Sequence, residues 1–221
     1  MLKASILVHV AVAAIVLASA AGAAPVVTQP TSTVLATGTK LVGTSKEEIL
    51  MSTPLGLIRC GTASLKGNLT TNSTASGNKL EVTFASFTGT DAGGECTTWT
   101  GGVTITPNHP TSSPVNGLPW CLEATAASDQ GKVRGGGCSS ATRPIRFGMD
   151  FTALGICVYQ RTEAAVTEIQ TDVEPSKDAL LHLREQEWKL FEGGFSCPSS
   201  AKLSMTFTME TEAGSTVWFS S

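Results

Sequence analysis

Residues 202–210 read Lys-Leu-Ser-Met-Thr-Phe-Thr-Met-Glu. Leu203, Met205, Phe207 and Met209 fall on one side, and Lys202, Ser204, Thr206 and Thr208 on the other. That strict alternation is the two-residue period of a β-strand with one buried face. The same beat runs through Lys79–Phe87, with Leu80, Val82 and Phe84 against Glu81 and Thr83. It returns at Ile145–Phe151, where Ile145, Phe147, Met149 and Phe151 point inward and Arg146, Gly148 and Asp150 outward. Further strands are read at Glu47–Ser52, Leu57–Leu65, Cys96–Thr106 (interrupted by Gly101-Gly102), Trp120–Ala127, Gly131–Gly136, Gly155–Arg161, Glu163–Asp172 and Thr216–Ser220. Thr53-Pro54-Leu55-Gly56 is a hairpin turn by its proline and glycine positions, and Ser128-Asp129-Gln130 marks another. Pro107–Gly117, with three prolines, is a loop. Ser176–Phe191 reads two ways: its residues are good helix formers with a serine cap and Gly193-Gly194 as a stop, but its β surroundings favour two strands turning near Gln186-Glu187. Short strands punctuated by turns predict an all-β fold, an antiparallel β-sandwich or barrel.

The N-terminus places this fold outside the cytoplasm. Met1-Leu2-Lys3 precedes an apolar run from Ile6 to Leu17 that ends in small residues, with cleavage motifs at Ala21-Gly22-Ala23 and Ala18-Ser19-Ala20. This is the plan of a signal peptide. The apolar core of about a dozen residues is shorter than the roughly 20 that span a bilayer. Residues 1–23 are thus read as signal peptide, 24–44 as an N-terminal arm and first strand, and 45–221 as a β-rich extracellular domain. No transmembrane span is expected after cleavage. The formal charge of −3 becomes more acidic by one when Lys3 is removed, and the absence of a basic stripe disfavours nucleic acid.

Six cysteines, Cys60, Cys96, Cys121, Cys138, Cys157 and Cys197, follow the leader. An even number in an exported chain reads as three disulfides that staple the β fold. Sequence alone does not choose the connectivity. Pairing in order, Cys60–Cys96, Cys121–Cys138 and Cys157–Cys197, is our guess, each closing a loop worth about 3–4 kcal/mol on the chain-entropy model. A metal centre is not expected: there is no C-x-x-C, and only His109 and His182 remain after the leader.

Candidate chemistry is thin. Ser199-Ser200-Ala201-Lys202 matches S-x-x-K without the partner motifs of a serine acylase. His109 and His182 lack a G-x-S-x-G for a triad. Asp150, Glu185 and Glu187 supply carboxylates with no fixed separation. Asp91-Ala92-Gly93-Gly94-Glu95 lacks the spacing of a calcium loop. Asn68 and Asn72 begin N-x-[ST] sequons, which in a glycosylating host would be acceptors in an exposed turn, while a threonine-rich chain also produces such matches by chance. Trp99, Trp120, Trp188 and Trp218, with Tyr159, are read first as core aromatics and second as a carbohydrate-stacking platform. In Leu118-Pro119-Trp120 the proline extends Leu118, and Trp120 starts a strand with its ring toward the core. No catalytic, cofactor-binding or metal residues are assigned, and no cofactor is expected.

The cysteine after "PLGLIRC", the cysteine beyond "FASFTG", then "GLPW", "GICVY" and "CPSSAKLSMTF" stand in a recognisable order. Over residues 45–220 the chain resembles a group of uncharacterised secreted bacterial proteins with the order Cys, Cys, L-P-W, a Cys-containing strand and C-P-x-x-A-x-L. It resembles more distantly the secreted alkane-oxidation activator family. The first resemblance implies secretion, β structure, and pairing of Cys60 with Cys96 and of Cys157 with Cys197. Cys121 and Cys138 depart from that pattern and suit an added bridge. The expected function is a secreted or cell-envelope-associated, non-enzymatic binding or structural protein whose partner is a cell-envelope or extracellular component. The alternatives are a secreted hydrolase acting on carbohydrate or another envelope polymer, and a carrier of carbohydrate or hydrophobic ligands.

Overall fold

The computed structural model describes residues 26–29, 33–89, 94–98, 101–106, 117–124, 131–139, 141–166, 168–170 and 180–220. Among these there is no helix. In chain order the strands are β1 (Val26–Thr28), β2 (Lys40–Ser45), β3 (Ile49–Thr53), β4 (Gly56–Cys60), β5 (Thr62–Ser73), β6 (Gly77–Thr88), β7 (Cys96–Thr98), β8 (Gly101–Thr106) and β9 (Trp120–Ala124). They continue with β10 (Gly131–Gly135), β11 (Ile145–Phe151), β12 (Gly155–Arg161), β13 (Glu163–Val166), β14 (Glu168–Gln170), β15 (Leu180–Glu192), β16 (Ser200–Thr211) and β17 (Trp218–Ser220).

The pairings resolve the choice between sandwich and barrel. One circuit runs β16–β3–β4–β7–β8–β11–β12–β15 and is closed by the β15–β16 ladder, giving a closed eight-stranded antiparallel barrel. From the other half of β16 a second series runs β2–β5–β6–β9–β10–β13, and β14 returns it to β15. The two series use the same lengths of chain. β2 and β3 are consecutive, as are β4 and β5, β6 and β7, β8 and β9, β10 and β11, and β12 to β14. The chain is therefore an up-and-down meander of staves, most of them broken at one level, in which the last stave zips onto the first.

Alternation decides which side faces in. Leu203, Phe207 and Met209 of β16 are buried, as are Ile145, Phe147, Met149 and Phe151 of β11. The expected hairpin at Thr53–Gly56 joins β3 to β4: the Thr53 hydroxyl donates to the Gly56 carbonyl at 2.9 Å and accepts from the Leu55 amide at 3.2 Å. The expected single strand Leu57–Leu65 divides at Gly61, because β4 pairs with β3 and β7 while β5 pairs with β2 and β6. Cys96–Thr106 likewise becomes a hairpin, β7–β8, with Thr98 opposite Gly101. Gly67 sits at a register shift in β5, where a Cβ would lie 2.4 Å from the Glu81 carbonyl oxygen. Only glycine allows so close a backbone approach.

The ambiguous segment is strand: β15 pairs with β16 along most of its length. Residues 176–179 and the Ser128-Asp129-Gln130 turn lie outside the described residues. In place of a turn near Gln186 there is a bulge. The register slips between Leu183 and Gln186, Glu185 has φ 46°, and its amide donates to the Ser204 hydroxyl at 2.9 Å. The extra residue changes parity, so that Leu181, Leu183 and Trp188 are all buried although the tryptophan is an even position and the leucines odd. The arm and first strand expected within 24–44 contribute β1, a strand paired with β17. Asn72 fastens it: its Nδ2 donates to the carbonyls of Val27 and Leu35 at 2.8 and 2.9 Å, and its Oδ1 accepts from the Val27 amide at 2.8 Å.

Candidate functional site

The sulfur links are Cys60–Cys96, Cys121–Cys138 and Cys157–Cys197, the order-wise pairing, and no cysteine is free. The first ties neighbouring staves at β4 and β7. The third ties β12 to the turn between β15 and β16. The second joins β9 to the segment that follows β10, on the outer face of the barrel.

That outer face carries a buried ionic cluster which the sequence does not announce. Glu123 and Arg134 are each only 7% exposed although they alternate with the inward Leu122 and Val133. The segment around Gly137 and Cys138 lies over them. Arg134 donates to the Gly137 and Cys138 carbonyls at 2.9 and 3.3 Å, and the Cys138 amide donates to Glu81 Oε2 at 2.9 Å. Glu123 Oε1 accepts from Arg134 Nε and Nη2 at 3.2 and 3.0 Å, with Lys79 at 3.4 Å and Lys132 at 4.0 Å from its carboxylate. Burial alone pushes its carboxyl up, but the Arg134 hydrogen bond and the neighbouring positive charges outweigh burial and hold it below its ordinary range. Every described contact here is internal to the protein, so the cluster is a clasp beside the Cys121–Cys138 bridge.

The interior is different. A cavity of about 40 Å³ lies where both series of strands meet the β15–β16 seam. Met51, Phe147 and Leu203 line it from one side, and Leu65, Leu122 and Val133 from the other. Trp120 and Trp188 also line it. They are 7% and 3% exposed, and neither indole nitrogen has a hydrogen-bond partner among the described residues. Phe147 meets Trp188 edge-on, with centroids 4.9 Å apart at 72°, and stacks on Tyr159 at 5.9 Å. The Tyr159 hydroxyl donates to the Pro198 carbonyl at 3.0 Å, and burial pushes the phenol well above its ordinary range.

Outside the wall is a groove of about 230 Å³ containing Glu47, Glu48, His182 and Arg184. It sits where β16 passes from β3 to β2 and where β15 bulges, so β16 has interrupted ladders on both edges at this level. Leu183 and Met205 line both groove and cavity and are the partition between them. Within the groove His182 Nδ1 lies 2.9 Å from Thr206 Oγ1, its direct cross-strand neighbour, and Glu48 pairs with Arg59 at 2.9 Å.

The other sequence candidates do not converge. Lys202 is an exposed strand residue and Ser199 precedes β16, not a helix. Asp150, Glu185 and Glu187 are exposed on different strands or separated by the bulge. Among the described residues no group of His, Cys, Asp and Glu is arranged to hold a metal. His109, Trp99 and Asp91–Gly93 lie outside the described residues. Asn68 is within β5, and Asn72 is the anchor of β1, so neither occupies the expected exposed turn. Burial of Trp120 and Trp188 removes both from a surface stacking platform, and Trp218 is half-buried. No described helix is long and apolar enough to cross a membrane. No family model, curated protein or solved structure matches the chain.

Proposed function

We propose that this is an exported, non-enzymatic binding protein of the cell envelope or extracellular space. The observation that carries the reading is the closed barrel with an apolar cavity at its centre. Eight staves enclose an interior of the size that either fills with side chains or holds one small ligand. Here the filling is incomplete, and the gap is lined by apolar side chains and two indoles. The signal-peptide pattern and the three disulfides support export into an oxidising space, and the order of cysteines around L-P-W supports kinship with the secreted bacterial group.

The rival hydrolase has one feature in its favour, the groove that brings Glu47, Glu48 and His182 together. The test compares the two. Mature protein recovered from the medium of its own host is examined by native mass spectrometry and assayed against chromogenic esters and glycosides. The binding reading predicts a co-purifying small molecule released on denaturation, and no turnover. Turnover that disappears in Glu47→Gln or His182→Asn would establish the rival instead.

A further inference from the structure

We infer that the barrel takes the apolar end of a single unbranched hydrocarbon tail into its central cavity, past Met205 from the outer groove, and leaves the tail's uncharged polar end in that groove. This rests on the reading of the chain as a binding protein and assigns the place and chemical class of its ligand.

The described lining of the cavity is wholly apolar. A water molecule there would leave its hydrogen bonds unmade, so the space is dry. An ion or a polar group would lose its hydration with nothing in return. Hydrocarbon is the chemistry that remains, and size limits how much of it fits. A dry cavity of about 150 Å³ takes the six carbons of benzene, so one of about 40 Å³ takes about one or two carbon atoms. A free molecule that small has little apolar surface to remove from water. The end of a longer tail fits the same space and adds the surface it buries on the way in.

The way in is at Met205. The β16–β3 ladder stops at Ser204, opposite Leu50, and the β16–β2 ladder starts at Phe207, opposite Ser45. Residues 46–48 bend between the two ladders, and the Lys46 amide donates to the Thr206 carbonyl at 2.9 Å. On the other edge Met205 faces Leu183, the last residue before the register slip. Met205 therefore stands where the wall is interrupted on both sides. It is half-buried, packs against the core, and reaches both cavity and groove. Its thioether chain is unbranched and adapts its shape. When it swings toward the groove, an alkyl tail of similar width can take its place, one flexible apolar chain for another. The groove of about 230 Å³ then receives the other end of the tail. Glu47, Glu48, His182, Arg184 and Ser204 there present donors, acceptors and charges of both signs, which suits an uncharged hydroxyl.

Methionine-methyl proton–carbon spectra of the full protein test this, with 1-hexanol as the probe. The control is 1,6-hexanediol, which has a hydroxyl at each end and no apolar end to insert. Met51 and Met205 line the cavity, whereas Met149 and Met209 are buried outside its lining. Met51→Leu and Met205→Leu assign the two signals. Hexanol should shift the Met51 and Met205 methyls and leave those of Met149 and Met209 in place, and its terminal methyl should give nuclear Overhauser contacts to Met51. Hexanediol should leave Met51 unmoved. Met205→Ala vacates the passage and should tighten hexanol binding about tenfold, the worth of roughly two more buried methylenes. If that variant fails to fold, Met205→Leu keeps the volume but stiffens the passage, and hexanol should exchange more slowly. A Met51 methyl that ignores hexanol, or that responds equally to hexanediol, overturns the inference. Xenon distinguishes the two failures. If xenon shifts the Met51 methyl and hexanol does not, the assignment of the tail falls alone. If neither does, the cavity is filled in solution and the observation carrying the binding reading falls as well.

Discussion

Removing the Cys157–Cys197 bridge, as Cys157→Ala with Cys197→Ala, should lower stability by an amount set mainly by the chain it encloses. The two cysteines are 40 residues apart. The loop-entropy relation then gives about 3.9 kcal/mol at room temperature, against about 3.8 for the separation of 36 at Cys60–Cys96 and about 3.1 for the separation of 17 at Cys121–Cys138. For a chain of this size, each kcal/mol corresponds to roughly 2–4 °C in Tm, so the variant should melt about 8–16 °C below the parent. The three links together represent a share comparable to the whole net stability of a typical protein, about 5–15 kcal/mol. Full reduction should therefore unfold it. Calorimetry of the parent protein and of the three double-alanine variants measures the series. A Tm within the noise of the parent would refute the argument that the link constrains the unfolded chain. A loss at Cys121–Cys138 exceeding that at Cys157–Cys197 would refute loop length as the dominant quantity and put the weight on the clasp around Arg134.

Three further outcomes follow from particular contacts. Glu123→Gln leaves Arg134 buried without its counter-charge and should cost about 3 kcal/mol in urea unfolding. Because the folded carboxyl titrates below its ordinary value of 4.5, that contribution is present above this value and fades as the pH falls through the lower folded value. The gap between parent and variant should therefore close in acid. Tyr159 is the sole tyrosine, and burial favours its neutral form, so ultraviolet titration of the folded protein should show no phenolate at its ordinary value of 10.0; the phenolate should appear only with unfolding, and stability should decline as the pH rises past that value. Gly67→Ala forces a Cβ toward the Glu81 carbonyl oxygen and should destabilise by about 1–3 kcal/mol through overpacking; an unchanged urea midpoint would show that β5 and β6 can separate there.

The parts legible in the sequence are those written into a single strand. Lys202–Glu210 and Ile145–Phe151 announce themselves because every second side chain is apolar, and both are strands with that face buried. The turn at Thr53–Gly56 is legible because proline and glycine each impose a backbone angle. The parts that are hidden depend on a neighbour. In the run Leu57–Leu65 the buried positions change parity, from Ile58 and Cys60 to Ala63 and Leu65, but the division at Gly61 takes its meaning from the different strands with which the two halves pair. The bulge at Glu185 shifts the parity of Leu181, Leu183 and Trp188, so no single alternation marks the strand and its helix-forming residues dominate the reading until the register with β16 is known. Glu123 and Arg134 stand eleven residues apart and meet only through the β9–β10 ladder and the covering segment. Trp120 is legible as a buried ring after Leu118-Pro119, but its unpartnered N–H and the cavity beside it arise only when the staves close.

Closure is the claim on which the interior site depends, and hydrogen exchange at the seam tests it most directly. Alternate amides of β2 and β3 point toward β16, the joint between first and last staves. They should exchange as slowly as those facing β5 and β4, at the rate of global unfolding. Rapid exchange confined to the amides facing β16, with slow exchange on the opposite edge, would mean the seam is open in solution and the barrel does not enclose a cavity.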